Sequence, residues 1–242
     1  YDYERAAMDE PQERLVSQIN PYLADAPATV VPRSRRSPLL PVPEARWGSM
    51  PNDSGHLLLT EDEREQIADC DPLAAKYMRP LLGAEQIIDG TRRWCLWLVD
   101  AAPADIAKSS VLRSRVERVK EYRSQSPRAA TQRLAATPAV FGEVRQPATA
   151  YLCAPLHTSE NRPYIPMVFV EPHVIAHNST MTIEHADPYL FGLLQSAMWM
   201  AWVRSIGGRL ESRYRISVGL VYNTFPWPDP PSPGRRQRVV DA

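Results

Sequence analysis

Apolar positions come in short bursts along this chain, and proline interrupts most of them. Residues 33–51 ("RSRRSPLLPVPEARWGSMP") carry no sustained period, so they are expected to run over a surface or along a partner. Pro51–Gly55 reads as a turn into an apolar strand, His56–Leu59. Thr60 with Glu63 three residues on is a capping-box pattern, and it predicts a helix from Glu61 to Ala68. Asp89-Gly90 marks a turn, and the unbroken run Trp94–Val99 predicts a buried strand. From Ser110 to Arg123 the period turns helical, with Leu112, Val116 and Val119 on one face and Tyr122 at its edge. "VFGEVRQP" (140–147) and "YIPMVFVEP" (164–172) read as short strands ending in proline. Asp187-Pro188 supplies an N-cap and a first-turn proline for the longest helix, which runs to Ile206 and stops at Gly207-Gly208. The first half of "VGLVYNTFPWP" (218–228) reads as a strand. Its Phe-Pro-Trp-Pro half suits neither a helix interior nor a central strand, because each proline lacks an N–H.

The sum is an α+β fold: mixed short strands and helices with Pro-rich loops around one long buried C-terminal helix. That helix is apolar nearly all round, but Gln195, Ser196 and Arg204 interrupt it. A bilayer span needs about 20 apolar residues, so a core helix is predicted and no membrane partner. Composition sharpens the picture in one respect. Prolines number 24 in 242 residues, which implies many short elements joined by stiff loops. Cys70, Cys95 and Cys153 are odd in number and widely spaced, which fits a reducing cytoplasm and argues against a disulfide framework or a zinc ribbon. The opening residues are charged and begin without Met, so no secretory leader is expected and the chain reads as a piece of a longer protein, with trimming of a mature protein as the alternative.

Candidate chemistry is sparse. His173 and His177 have the i, i+4 spacing of a metal pair, but they lie among turn formers, and no metal site is predicted. No P-loop, G-x-G-x-x-G or G-x-S-x-G occurs. Charge is informative locally. The chain balances 28 basic against 28 acidic residues, so its net charge names no partner. Between Val111 and Arg145, however, Arg113, Arg115, Arg118, Lys120, Arg123, Arg128, Arg133 and Arg145 face only Glu117, Glu121 and Glu143. An Arg-rich stretch interspersed with Ser, Thr and Gln suits a phosphate backbone, and it equally suits a solvated helix face.

Six segments in order, "INPYLADAP", "GSMPNDSGHLLL", "AAKYMRPLLGAEQIIDG" with "RWCLWLVD", "LAATPAVFGEVRQP", "YIPMVFVEP" and "VYNTFPWP", resemble the target recognition region of MmeI-like adenine-N6 DNA methyltransferases. The resemblance extends from about Ile19 to Pro228. It implies a reader of double-stranded DNA. The partner methyltransferase domain, with its S-adenosylmethionine site and Asn-Pro-Pro-Tyr loop, would precede these residues in the parent protein. "INPYL" lacks the second proline of that loop. The expected division is a connector at 1–32, a recognition domain at 33–228 and a Pro/Arg-rich linker or tail at 229–242. The resemblance makes Phe-Pro-Trp-Pro a structural clasp at the end of the reader. Backbone contacts are expected from Arg113, Arg115, Lys120, Arg123, Arg133 and Arg145. Base contacts need side chains of fitting donor and acceptor geometry. Gln125, Arg128, Thr131 and Gln132 in one polar stretch, and Ser159, Glu160, Asn161 and Arg162 in another, supply them. In an extended segment Glu160 and Arg162 would share a face. Two rivals stay open: a protein-interaction module with a polyproline tail, and a free-standing metal-dependent enzyme built on the histidines.

Overall fold

The structure, a computed structural model, describes residues 15–19 and 32–241. The Asn-Pro-Tyr of "INPYL" and most of the expected connector lie outside the described residues. Residues 35–43 are held against the chain's far end. The Arg35 amide donates to Gly219 O at 2.9 Å, Asn223 Nδ2 donates to Arg35 O at 2.9 Å, and the Tyr222 hydroxyl donates to Pro43 O at 2.6 Å. Strand β1 (Ala45–Trp47) follows.

The next stretch builds the first core. The turn before strand β2 (Leu58–Leu59) is tied by Asp53, whose carboxylate accepts from the Gly55 and Leu57 amides. It consumes His56 and Leu57, so β2 is shorter than predicted. The capping box forms: Thr60 Oγ1 accepts from the Glu63 amide and the Glu63 carboxylate accepts from the Thr60 amide, opening helix α1 (Glu61–Cys70). Helix α2 (Pro72–Ala75), strand β3 (Met78–Leu82) and helix α3 (Ala84–Asp89) follow. The predicted Asp89-Gly90 turn is the end of α3, with Gly90 left-handed at φ 69°. Strand β4 (Trp94–Leu96), helix α4 (Pro103–Lys108) and helix α5 (Ser110–Ser124) complete this part. Leu57, Leu59, Ile67, Leu96, Leu112 and Val119 pack together here. Helix α6 (Ala129–Arg133) and a short 3-10 turn, Leu134–Ala136, run past α5. The segment 140–147 is not the predicted strand. It makes a single bridge, Met50 to Glu143, and its amides go to loop acceptors, Gly142 N–H to Pro51 O and Arg145 N–H to Ser49 Oγ.

The second core is organised by a four-stranded antiparallel sheet. Strand β5 (Tyr151–Pro155) is central, with β7 (Val168–Val170) on one side and β9 (Thr180–Glu184) then β1 on the other. Strand β6 (His157–Thr158) leaves this sheet to join another, and β8 (Ile175–Ala176) pairs in parallel with β3, giving the order β2-β4-β3-β8. The predicted long helix is two helices, α7 (Pro188–Leu194) and α8 (Ala197–Ile206). The break falls on two of the polar residues that interrupted the apolar run. Gln195 caps α7 and sends its Nε2 to Ile165 O at 2.8 Å, and Ser196 Oγ accepts from the Trp199 amide as the N-cap of α8.

Strands β10 (Gly208–Leu210) and β11 (Arg213–Arg215) form a hairpin whose second strand pairs with β6. Val218–Tyr222 is a π-helical turn instead of a strand. A short apolar run buried on several sides leaves helix and strand indistinguishable by pattern. Phe225 and Trp227 are buried while Pro226 is exposed. Phe225 meets Trp199 at 5.1 Å and Trp227 at 4.8 Å between ring centroids, and Trp227 meets Tyr222 at 5.0 Å. The motif therefore closes the second core as a clasp. The predicted linker contains helix α9 (Pro233–Val240), which lies on α7 through an Arg236–Asp187 ion pair and Arg236 over the Tyr189 ring at 4.8 Å. Ahead of this helix, Pro228 and Pro230 stay exposed.

Candidate nucleic-acid interface

Helix α5 starts on Ser109, whose hydroxyl accepts from the Leu112 amide and donates to Asp71 Oδ2 at 2.6 Å. Leu112 and Val119 face the core, which turns Arg113, Arg118 and Lys120 to solvent. Arg113 rests on Ala107 O at 3.0 Å. The same rotation sends Arg115 across the helix surface. It donates to His56 O at 3.0 Å and Leu58 O at 3.3 Å, and its guanidinium pairs with Glu63 at 2.7 Å. Burial pushes the Glu63 carboxyl up, but the Thr60 amide and hydroxyl and Arg115 together outweigh it and hold the group below its ordinary range.

Arg123 corrects the sequence reading most sharply. It is fully buried. Its Nε donates to Asn52 O, Nη1 to Leu134 O and Thr137 O, and Nη2 to Pro51 O and Val140 O, all between 2.8 and 3.1 Å. A guanidinium has five N–H donors, and every one is met by a main-chain carbonyl. No donor remains for a phosphate. Burial lowers its pKa, and the field of Asp53 opposes that shift. Arg145 is likewise occupied, by Gly48 O at 3.2 Å and by Glu143. Of the six cations assigned to the backbone, Arg113, Lys120 and Arg133 stay exposed, and Arg118 joins them.

The two polar stretches differ in kind. The first is only partly a loop, since α6 occupies its second half. Gln125, Arg128 and Gln132 are exposed, with Gln125 Nε2 on Glu121 at 3.2 Å and Gln132 Nε2 on Ser126 O at 2.8 Å. Thr131 is buried and accepts from Asn52 Nδ2, so its assignment to base contact is corrected. The second stretch is a tight turn at the end of β6. The Arg162 amide donates to Ser159 O at 3.2 Å, and the Asn161 amide to Ser159 Oγ at 3.2 Å. Glu160 and Arg162 are therefore turn positions and not alternate residues of an extended strand, which removes the argument that placed them on one face.

The β10–β11 hairpin escaped the sequence reading. "GRLESRYRI" (208–216) alternates Arg213 and Arg215 with Tyr214 and Ile216, a period-2 signal that was available. Both arginines are exposed, Tyr214 and Ile216 are buried, and pairing with β6 sets them beside the turn at 159–162. His173 is exposed, and His177 Nδ1 contacts Ser179 Oγ at 2.9 Å. Among the described residues no three His, Cys, Asp or Glu side chains gather to hold a metal. No described helix is long and apolar enough to cross a membrane.

The geometry is that of a rigid scaffold presenting short polar turns and scattered cations. The family model described as "MmeI, target recognition domain" matches residues 25–229. The chain belongs to the MmeI target recognition domain family. Among its relatives, DNA methyltransferase A of Bacillus subtilis (strain 168) is 37% identical over 230 residues, which is 95% of this chain and 26% of the relative. A solved structure of MmeI, a Type IIL restriction-modification enzyme in complex with DNA, matches with a TM-score of 0.90 at 40% identity, over 96% of this chain and 31% of its own. This MmeI-type domain thus spans between a quarter and a third of the length of those relatives.

Proposed function

We propose that the chain reads a short sequence in double-stranded DNA for an adenine-N6 methyltransferase joined to it in one cytoplasmic polypeptide. The observation that carries this reading is the match, at 40% identity and a TM-score of 0.90, to an MmeI solved with DNA. The name of the Bacillus subtilis relative supports the methyltransferase half. S-adenosylmethionine would be held by the methyltransferase part.

The exposed Arg113, Arg118, Lys120 and Arg133 approach phosphates and release counterions, which fixes orientation without reading sequence. Base edges are read from the two polar stretches. Arg128 and Arg162 suit guanine O6/N7, Gln125, Gln132 and Asn161 suit adenine, Glu160 accepts from cytosine N4, and Ser159 serves either role. The reader holds the register while the target adenine is turned out of the stack toward the methyltransferase.

Expression of the longer polypeptide in a host without adenine methylation, followed by mapping of N6-methyladenine, tests the reading. One methylated motif is expected. Exchanging the pair, Glu160→Arg with Arg162→Glu, should alter discrimination at one base pair by about 1–3 kcal/mol. The reading is overturned if no motif is methylated and duplex binding by the chain shows no sequence preference. Unchanged discrimination at every position in the exchanged protein removes Glu160 and Arg162 from base contact.

A further inference from the structure

The strand register of the small sheet sorts its side chains into two faces. Residues directly opposite one another across antiparallel strands project to the same side. Arg209 stands opposite Tyr214, which stands opposite Thr158. This side is turned inward: Tyr214 and Thr158 are buried, Arg209 lies over the Tyr214 ring at 4.2 Å, and Arg204 Nε donates to the Tyr214 hydroxyl at 3.3 Å. The other side carries Leu210 opposite Arg213, and Gly208 opposite Arg215, which stands opposite His157. The same register carried one residue further sets Arg213 against Ser159, the first residue of the turn.

Two properties of this outer face point to an anion. Among the described residues the Arg215 side chain makes no hydrogen bond or ion pair, although it is exposed beside another arginine. Among the described residues the Arg213 side chain pairs only with Glu211, at 2.6 Å, in an exposed contact that water and salt weaken. Glu211 stands at the hairpin tip with φ 58°, a left-handed backbone that Gly or Asn adopts more readily. The two charges also reach His157. Burial, then the fields of Arg215 and Arg213, hold its imidazole below the ordinary value.

We infer that the outer face of the β10–β11–β6 sheet, through Arg213 and Arg215, grips the phosphate backbone of duplex DNA at the root of the 159–162 turn. This rests on the DNA-reading function proposed above and gives that turn its register. Glu211 serves as a stand-in counterion for Arg213 that the phosphate displaces. The sheet contributes orientation and no sequence information, so its effect falls equally on all duplexes.

The test is fluorescence anisotropy of the 242-residue chain with a labelled duplex across a salt series. Each phosphate contact contributes roughly 0.9 to the slope of log K against log salt. The double variant Arg213→Gln, Arg215→Gln should lower the slope by about 1.8 and weaken binding to every duplex alike. The charge-conserving variant Arg213→Lys, Arg215→Lys should keep most of the slope. Near-UV circular dichroism of both variants should match the parent, since both side chains are exposed. An unchanged slope in the Gln variant, with the parent binding normally, overturns this inference and leaves the proposed function standing. A parent chain that binds no duplex at low salt overturns this inference, and the proposed function falls with it only if the longer polypeptide also methylates no motif.

Discussion

At the scale of single residues, Arg123 decides how the basic stretch is understood. Its sequence neighbourhood reads as a phosphate-binding helix, yet its five donors close a ring of carbonyls from residues 51, 52, 134, 137 and 140. Arg123→Ala should destabilise the domain by at least about 3 kcal/mol, because buried carbonyls lose charge-assisted bonds and regain no water. Arg123→Lys should recover only part of that loss, since an ammonium offers three donors from one point. Urea unfolding of both variants checks the ordering, and equal stability of Lys and Arg would contradict it. The burial was not legible beforehand. Leu112 and Val119 set the inward face of α5, and Arg123 lies four residues beyond Val119 on that same face. The spacing was visible, but an arginine is placed inside a fold only when partners are known, and two of these five lie 71 and 72 residues away in sequence while the other three lie beyond a loop and helix α6.

At the scale of elements, caps were the most readable feature and apolar runs the least. Thr60 with Glu63 gave a helix start correctly because a cap is a local bond between near neighbours. Asp187 with Pro188 did the same for α7, its carboxylate accepting from the Leu190 amide at 2.8 Å. The break between α7 and α8 was missed because Ser196 reads as a tolerated polar residue inside an apolar helix until it is seen to accept from the Trp199 amide. Val218–Tyr222 was missed for the complementary reason: nothing local separates a buried strand from a buried turn of helix. Ser196→Ala should therefore cost about 1 kcal/mol as a lost N-cap, whereas a serine within a continuous helix would gain slightly from alanine. Thermal or urea denaturation distinguishes the two signs.

At the scale of the whole molecule, the two cores meet along a seam. Strand β8 belongs by pairing to the first sheet, though it lies between strands of the second in sequence. Tyr151, Cys153 and Ala176 pack there against Leu82, Ile87 and Val170, and the Tyr151 hydroxyl donates to Val174 O at 2.7 Å. His177 sits on the seam. Its amide donates to Leu82 O at 2.9 Å, and its ring accepts from the Ser179 amide. Burial, then the field of Arg93, holds this imidazole below its ordinary value of 6.5, with Asp53 opposing. A depressed pKa in the folded state means that protonation favours unfolding. The contribution is whole above pH 6.5 and is lost as pH falls through the lowered folded value. Stability measured by urea should fall on that acid limb, and His177→Gln should flatten this part of the profile. Both cores should unfold in one transition when followed by tryptophan fluorescence and by far-UV circular dichroism.

The seam also constrains how such readers diversify. Because β8 pairs with β3 and β1 pairs with β9, cutting the chain between residues 136 and 151 and grafting either portion onto a related reader would sever two strand pairings and expose an apolar joint. Recombination of half-domains is therefore a poor route to new targets. Point changes in the turn at 159–162 and in the segment before α6 disturb no seam and no clasp. On the function proposed above, heritable variety in such a scaffold should accumulate as substitutions at a few solvent-facing codons within an otherwise inseparable gene segment.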